Sequence, residues 1–90
     1  MDKITFVSQD DGEYVFRVPS LEGSVSVIVM FGDAAEASEG RLTDDRATAH
    51  ATLHYLLSHQ EAADLPARIE IGDVVAAYAD AVDQILASRP

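Results

Sequence analysis

The stretch SVSVIVMF, Ser24–Phe31, decides the fold. Five of its eight residues are Val, Ile or Phe, and it holds no charge, Gly or Pro. That length and composition belong to a well-buried strand, because β-branched and aromatic side chains fit a pleated surface. Strand alternation sends Val25, Val27, Val29 and Phe31 to one face and Ser24, Ser26, Ile28 and Met30 to the other. The first face requires a full apolar cover. The second is half apolar.

Two further strands precede this one. Lys3–Ser8 alternates, with Ile4 and Phe6 against Thr5 and Val7. Glu13–Val18 does the same, with Tyr14, Phe16 and Val18 against Val15 and Arg17. A three-residue loop, Asp10-Asp11-Gly12, would place Gly12 in the left-handed position of a bulged turn. It pairs Phe6 with Phe16, Ile4 with Val18 and Val7 with Val15, each pair matched in character. A two-residue Asp11-Gly12 turn would instead set Phe6 opposite Arg17. Pro19 ends the second strand for want of an N–H, and Ser20-Leu21-Glu22-Gly23 turns the chain into the third. The pattern is a β-meander.

Beyond Phe31 the periodicity changes. Gly32–Arg41 is small, polar and acidic, and reads as a flexible loop (32–41) inside the single domain 1–90. Leu42–Gln60 reads as a helix capped by Thr43, with Ala49, Leu53, Leu56 and Leu57 on its apolar side. Asp44, Thr48, Thr52 and His59 lie on the opposite side. Pro66 breaks the pattern. Ala67–Ile71 reads as a short fourth strand with Ile69 and Ile71 inward. A second helix begins at Asp73. Its Val74, Val75, Tyr78, Ala81, Val82, Ile85 and Leu86 fall within an arc of about 140°, and Arg89 and Pro90 end the chain. The fold class is α+β: a three- or four-stranded, mostly antiparallel sheet with two helices packed on one face.

Ninety residues bury roughly 60–65% of the unfolded surface, enough for one core. Sixteen Asp and Glu stand against six Lys and Arg, a net charge of −10. Nucleic-acid affinity rests largely on Lys and Arg neutralising phosphates, so direct binding to DNA, RNA or an anionic membrane is disfavoured. A basic protein partner suits the acidity, which also serves simply to keep a small domain soluble. With no cysteine there is no disulfide, zinc–thiolate site or thiol nucleophile. The N-terminal MDKITFVSQDD lacks a signal-peptide core, and no stretch approaches the ~18 apolar residues of a membrane helix, so a cytoplasmic protein is expected.

Few residues are arranged for chemistry. His50 and His54 stand one helical turn apart, a spacing that can hold a metal. The metalloprotease helix also needs a Glu after the first His, where this chain has Ala51, and no third ligand follows by spacing. Both histidines read as structural or surface groups. Asp33, Glu36 and Glu39 lack the spacing of a calcium loop. No catalytic residue, metal ligand or cofactor is assigned. The aromatic residues Phe6, Tyr14, Phe16, Phe31 and Tyr78 sit at core-facing positions, whereas Tyr55 lies toward the polar side of its helix and reads as an exposed anchor.

The second face of the sheet is the candidate interface. Val7, Val15, Ile28 and Met30 gather there, framed by Thr5, Arg17, Ser24 and Ser26, and Tyr55 is added as a neighbouring anchor. An apolar stripe with a polar rim is the usual anatomy of a contact site. Self-association is the first contact expected of this face, and a homo-oligomer is expected, since most soluble oligomers are symmetric homo-oligomers.

The run Asp11-Gly12-Glu13-Tyr14, then Val18-Pro19-Ser20-Leu21-Glu22-Gly23, resembles the start of HicB-like antitoxin domains, in which a D-G-x-Y strand runs into a P-x-L-x-G turn. Thr43-Asp44-Asp45-Arg46-Ala47 is similar to the T-x-E-E-A start of that family's first helix. The likeness covers roughly residues 3–60, with Val27–Arg41 as an insertion and no DNA-binding module following. The resemblance implies a bacterial, degraded nuclease-like fold that binds a toxin ribonuclease. The expected function is a non-enzymatic, acidic interaction module of antitoxin or inhibitor type, binding a basic protein. One alternative is a stand-alone homo-oligomer holding a small ligand between sheet and helices. Another is a metal-assisted hydrolase using His50 and His54.

Overall fold

Alternating residues 14–18 and 25–29 do in space what their period requires. A computed structural model describes residues 4–21 and 23–88. The sheet is four-stranded, in the order β1 (Thr5–Asp10), β2 (Glu13–Ser20), β3 (Gly23–Met30) and β4 (Arg68–Glu70). The first three strands form the antiparallel meander and β4 pairs with β3 in parallel, so the sheet is mixed but mostly antiparallel. Tyr14, Phe16 and Val18 of β2 and Val27 and Val29 of β3 are buried on one face, with Ile69 and Ile71 beside them. Each side chain of this kind stabilises the fold by about 1.5–3 kcal/mol. Expectations for Lys3, Glu22, Arg89 and Pro90 fall outside the described residues.

The β1–β2 hairpin corrects the expected turn. Asp11 and Gly12 have φ of 51° and 77°, so they alone form the turn, and Asp10 pairs with Glu13. Both central residues of such a two-residue turn take positive φ, which favours Asp-Gly. Phe6 nevertheless pairs with Phe16, as matching of character predicts, because the register shifts between Phe6 and Ser8. Ser8, not Val7, is the partner of Val15. Val7 is the extra residue of a β-bulge, which takes up the one-residue difference between turn and pairing.

A parallel strand needs a long crossover. Here it holds α1 (Ala34–Ala37), α2 (Arg46–Leu57) and a 3-10 turn at Ala62–Asp64. The acidic segment 32–41 therefore contains a helical turn. Its Ala34 and Ser38 are buried, and the Ser38 hydroxyl accepts the Leu42 N–H at 3.1 Å. α2 starts later than Leu42, and its cap is Asp45 rather than Thr43. The Asp45 carboxylate accepts the Thr48 N–H at 2.8 Å, while the Thr43 hydroxyl donates to Asp45 at 2.6 Å.

The single second helix is two. α3 (Ile71–Ala77) stops where Tyr78 turns extended (φ −124°, ψ 121°), and α4 (Ala81–Ser88) restarts the winding. The cap of α3 is Glu70, and Asp73 lies in its first turn. Four helices thus stand where two were expected, and α4 lies against α2. Thr48 and Thr52, assigned to a polar side, are 0% exposed. The Thr52 hydroxyl donates to the Thr48 carbonyl at 2.8 Å, and among the described residues no buried side-chain polar atom lacks a partner. No helix among the described residues is long and apolar enough to cross a membrane.

Candidate functional site

Alternation along β2 and β3 aims the odd residues of one and the even residues of the other away from the core. The ladders line them up in rows. Ser8, Val15, Ile28 and Arg68 form one row across all four strands. Asp10, Glu13, Met30 and Glu70 form the next. Thr5, Arg17 and Ser26 form a third on the other side of the first. Val15, Ile28 and Met30 are only half-buried, whereas Val27 and Val29 on the far side of β3 are fully buried. A three-residue apolar stripe thus sits in a polar frame.

Arg68 crosses that stripe. Its guanidinium donates to Glu13 Oε2 at 2.5 Å and to Met30 Sδ at 3.3 Å. The Arg68 side chain is 54% and the Glu13 side chain 37% exposed, so the solvent-screened ion pair itself contributes about 0–1 kcal/mol. Its consequence is positional: the guanidinium covers the Met30 thioether from β4 to β2. Inward Ile69 already requires that Arg68 and Glu70 face this side, a signal present in the ARIEI pattern and given no role in the sequence reading. Leu21, 99% exposed at the tip of the β2–β3 hairpin, reads from sequence as a turn residue and adds an exposed apolar side chain. Its neighbours Pro19 and Ser24 are paired on the same face as the stripe.

Two of the five expected interface residues change place. Val7 is 47% exposed, but as the bulged residue it has no partner in the row; Ser8 takes the position beside Val15. Tyr55 is not an exposed anchor. It is 4% exposed and packs edge-on to His59 and Tyr78, with ring centroids 4.7 and 5.7 Å away. Its hydroxyl donates to Asp80 Oδ1 at 2.6 Å. Burial, then that hydrogen bond, pushes the phenol up to about 12. The face of α2 that bears Tyr55 is covered by the helical layer, so Tyr55 ties α2 to the α3–α4 break.

The two histidines have different surroundings. His50 packs against Phe16, ring centroids 6.0 Å apart, and His54 is exposed. Burial, and secondly the charge of His54, lowers the His50 pKa. Among the described residues no three His, Cys, Asp or Glu side chains are grouped to hold a metal. Tyr14 carries its hydroxyl to Asp44 at 2.9 Å, and burial followed by that carboxylate raises it to about 12. These contacts fasten α2 to β2. No protein-family model matches the chain, and no curated protein or solved structure is significantly similar to it.

Proposed function

We propose that this chain is a non-enzymatic interaction module whose open sheet face seats a basic protein, in the manner that the likeness to HicB-like antitoxins implies. In this reading the helices keep to the other face of the sheet, and the protein works in the cytoplasm. The observation that carries it is the Val15–Ile28–Met30 stripe, half-buried beside the acidic row Asp10–Glu13–Met30–Glu70. Apolar contact supplies affinity there, and the carboxylates select a basic surface and steer its approach. The charge of −10 adds a long-range attraction of the same sign. A second copy of the chain is the competing occupant, and −10 on each copy opposes it.

The test is capture on the immobilised chain from lysate at low and high salt, with Val15→Glu/Ile28→Lys alongside. One basic protein recovered in stoichiometric amount, lost in high salt and on the variant, supports the reading. Equal recovery on both columns contradicts it, as does a salt-insensitive dimer by light scattering that only the variant breaks.

A further inference from the structure

On the core side of the sheet, where α2 begins, lies an open cleft of about 280 Å³. Ile4, Phe6 and Phe16 form its floor, and Arg46, Ala47 and His50 its helical wall. The bulge at Val7 builds this floor. It brings Phe6 opposite Phe16, where the Asp11-Gly12 turn without a bulge would bring Arg17, and the two rings meet edge-on at 5.6 Å. Bulges recur beside functional sites because they re-aim a side chain.

The Arg46 guanidinium lies 4.7 Å from the Phe6 ring centroid. Among the described residues it makes no ion pair, whereas Arg41 is held by Asp83 and Arg68 by Glu13. The acids next to it in sequence are engaged elsewhere: Asp44 accepts the Tyr14 hydroxyl, and Asp45 the Thr48 N–H and the Thr43 hydroxyl. A ligand that fills the cleft takes water from this cation. Burying an unpaired charge is costly, so the ligand must bring a negative group. A planar carboxylate matches a guanidinium edge with two parallel hydrogen bonds while the guanidinium face stays on Phe6. The volume, just below the ~300–1,000 Å³ of ligand pockets, suits an apolar part of one or two rings.

We propose that the Ile4–Phe6–Arg46 cleft binds a small aromatic carboxylate, its ring on Ile4 and the exposed part of Phe6, with buried Phe16 supporting Phe6 from below, and its carboxylate on Arg46. His50 lines the wall beside the ring. This site lies on the opposite face of the sheet from the Val15–Ile28 stripe and stands independently of it.

The experiment is an amide NMR titration of the intact chain with 1-naphthoate, 1-naphthalenemethanol and acetate. Naphthoate is expected to shift Phe6, Phe16, Arg46 and His50, with a Kd of about 1 mM or tighter. The neutral alcohol and Arg46→Gln with naphthoate should each bind about tenfold more weakly, as loss of a charged hydrogen-bonded pair requires. Acetate should leave these amides unmoved, and Val15→Glu/Ile28→Lys should bind naphthoate like the wild type. Absence of naphthoate shifts, or equal affinity for the alcohol or for the folded Arg46→Gln protein, would overturn the proposal.

Discussion

Val15 on β2 and Ile28 on β3 are direct partners across the antiparallel ladder, and both turn their side chains away from the core. A pair so placed contributes to the sheet through one face only. Val15→Glu with Ile28→Lys should therefore stay folded, within about 1 kcal/mol of the wild type in urea unfolding, since the opposite charges introduced face each other. Val27→Asp, one residue from Ile28 but fully buried, should abolish the folded baseline by leaving a buried unpaired carboxylate. Equal losses from the two changes would place the stripe in a core.

The β1–β2 hairpin makes a sharper prediction. If Val7 is only the extra residue of the bulge, its deletion leaves Ser8 opposite Val15 and Phe6 opposite Phe16 on a continuous ladder. The shortened protein should fold, and cross-strand contacts in NMR should still join Phe6 to Phe16. Loss of that contact, with Thr5 moving opposite Phe16, would show that the bulge does not set the register.

What the sequence revealed, and what it concealed, follows from these same residues. The inward series Tyr14–Phe16–Val18, Val27–Val29 and Ile69–Ile71 was legible because period-2 alternation states burial directly. Phe6 against Phe16 was legible as a match of character. The turn length was not, since a bulge leaves no mark in composition. The α3–α4 break was hidden by an apolar arc that continues through Tyr78 into Ala81 and Ile85. Tyr55 was placed wrongly because Thr48 and Thr52 looked solvent-facing; each is small enough to be buried between α2 and its neighbours with its hydroxyl satisfied locally. Of the candidate site, Val15, Ile28 and Met30 could be read, but Arg68 could not be brought to Glu13 without the parallel pairing of β4.

Gly72 should resist substitution. A Cβ there would lie 1.8 Å from Asp33 Oδ1, so that carboxylate would have to swing away, and 3.2 Å from the Ala34 nitrogen, so α1 would have to give by a few tenths of an ångström. Gly72→Ala is expected to cost about 1 kcal/mol. The backbone order parameters of 34–38 should fall with it, which separates a packed segment from one that was free beforehand. An unchanged stability would mean that α1 does not rest on Gly72.

Alkaline pH reports on two fastenings at once. Tyr14 and Tyr55 are held to about 12, against an ordinary 10.0, by burial first and then by Asp44 and Asp80. Between those values the unfolded chain releases protons that the folded chain retains, so this stabilisation is complete below 10 and lost as pH rises toward 12. His50 works the other way. Its lowered pKa removes stability as pH falls below about 6.5. Denaturant midpoints should drop at both extremes, and Tyr14→Phe should flatten the alkaline limb. A midpoint that does not move from pH 9 to 12 would rule out the two hydrogen-bonded phenols.

The central claim is that the open face is where a basic protein sits. It is tested most directly by methyl NMR of the chain with any basic protein recovered on it from lysate. The Val15, Ile28 and Met30 methyl signals should shift or broaden at stoichiometric partner, while Val27 and Val29, one residue away through the sheet, stay near their free positions. Shifts gathered instead on α2 and α4, with the stripe unmoved, would contradict it.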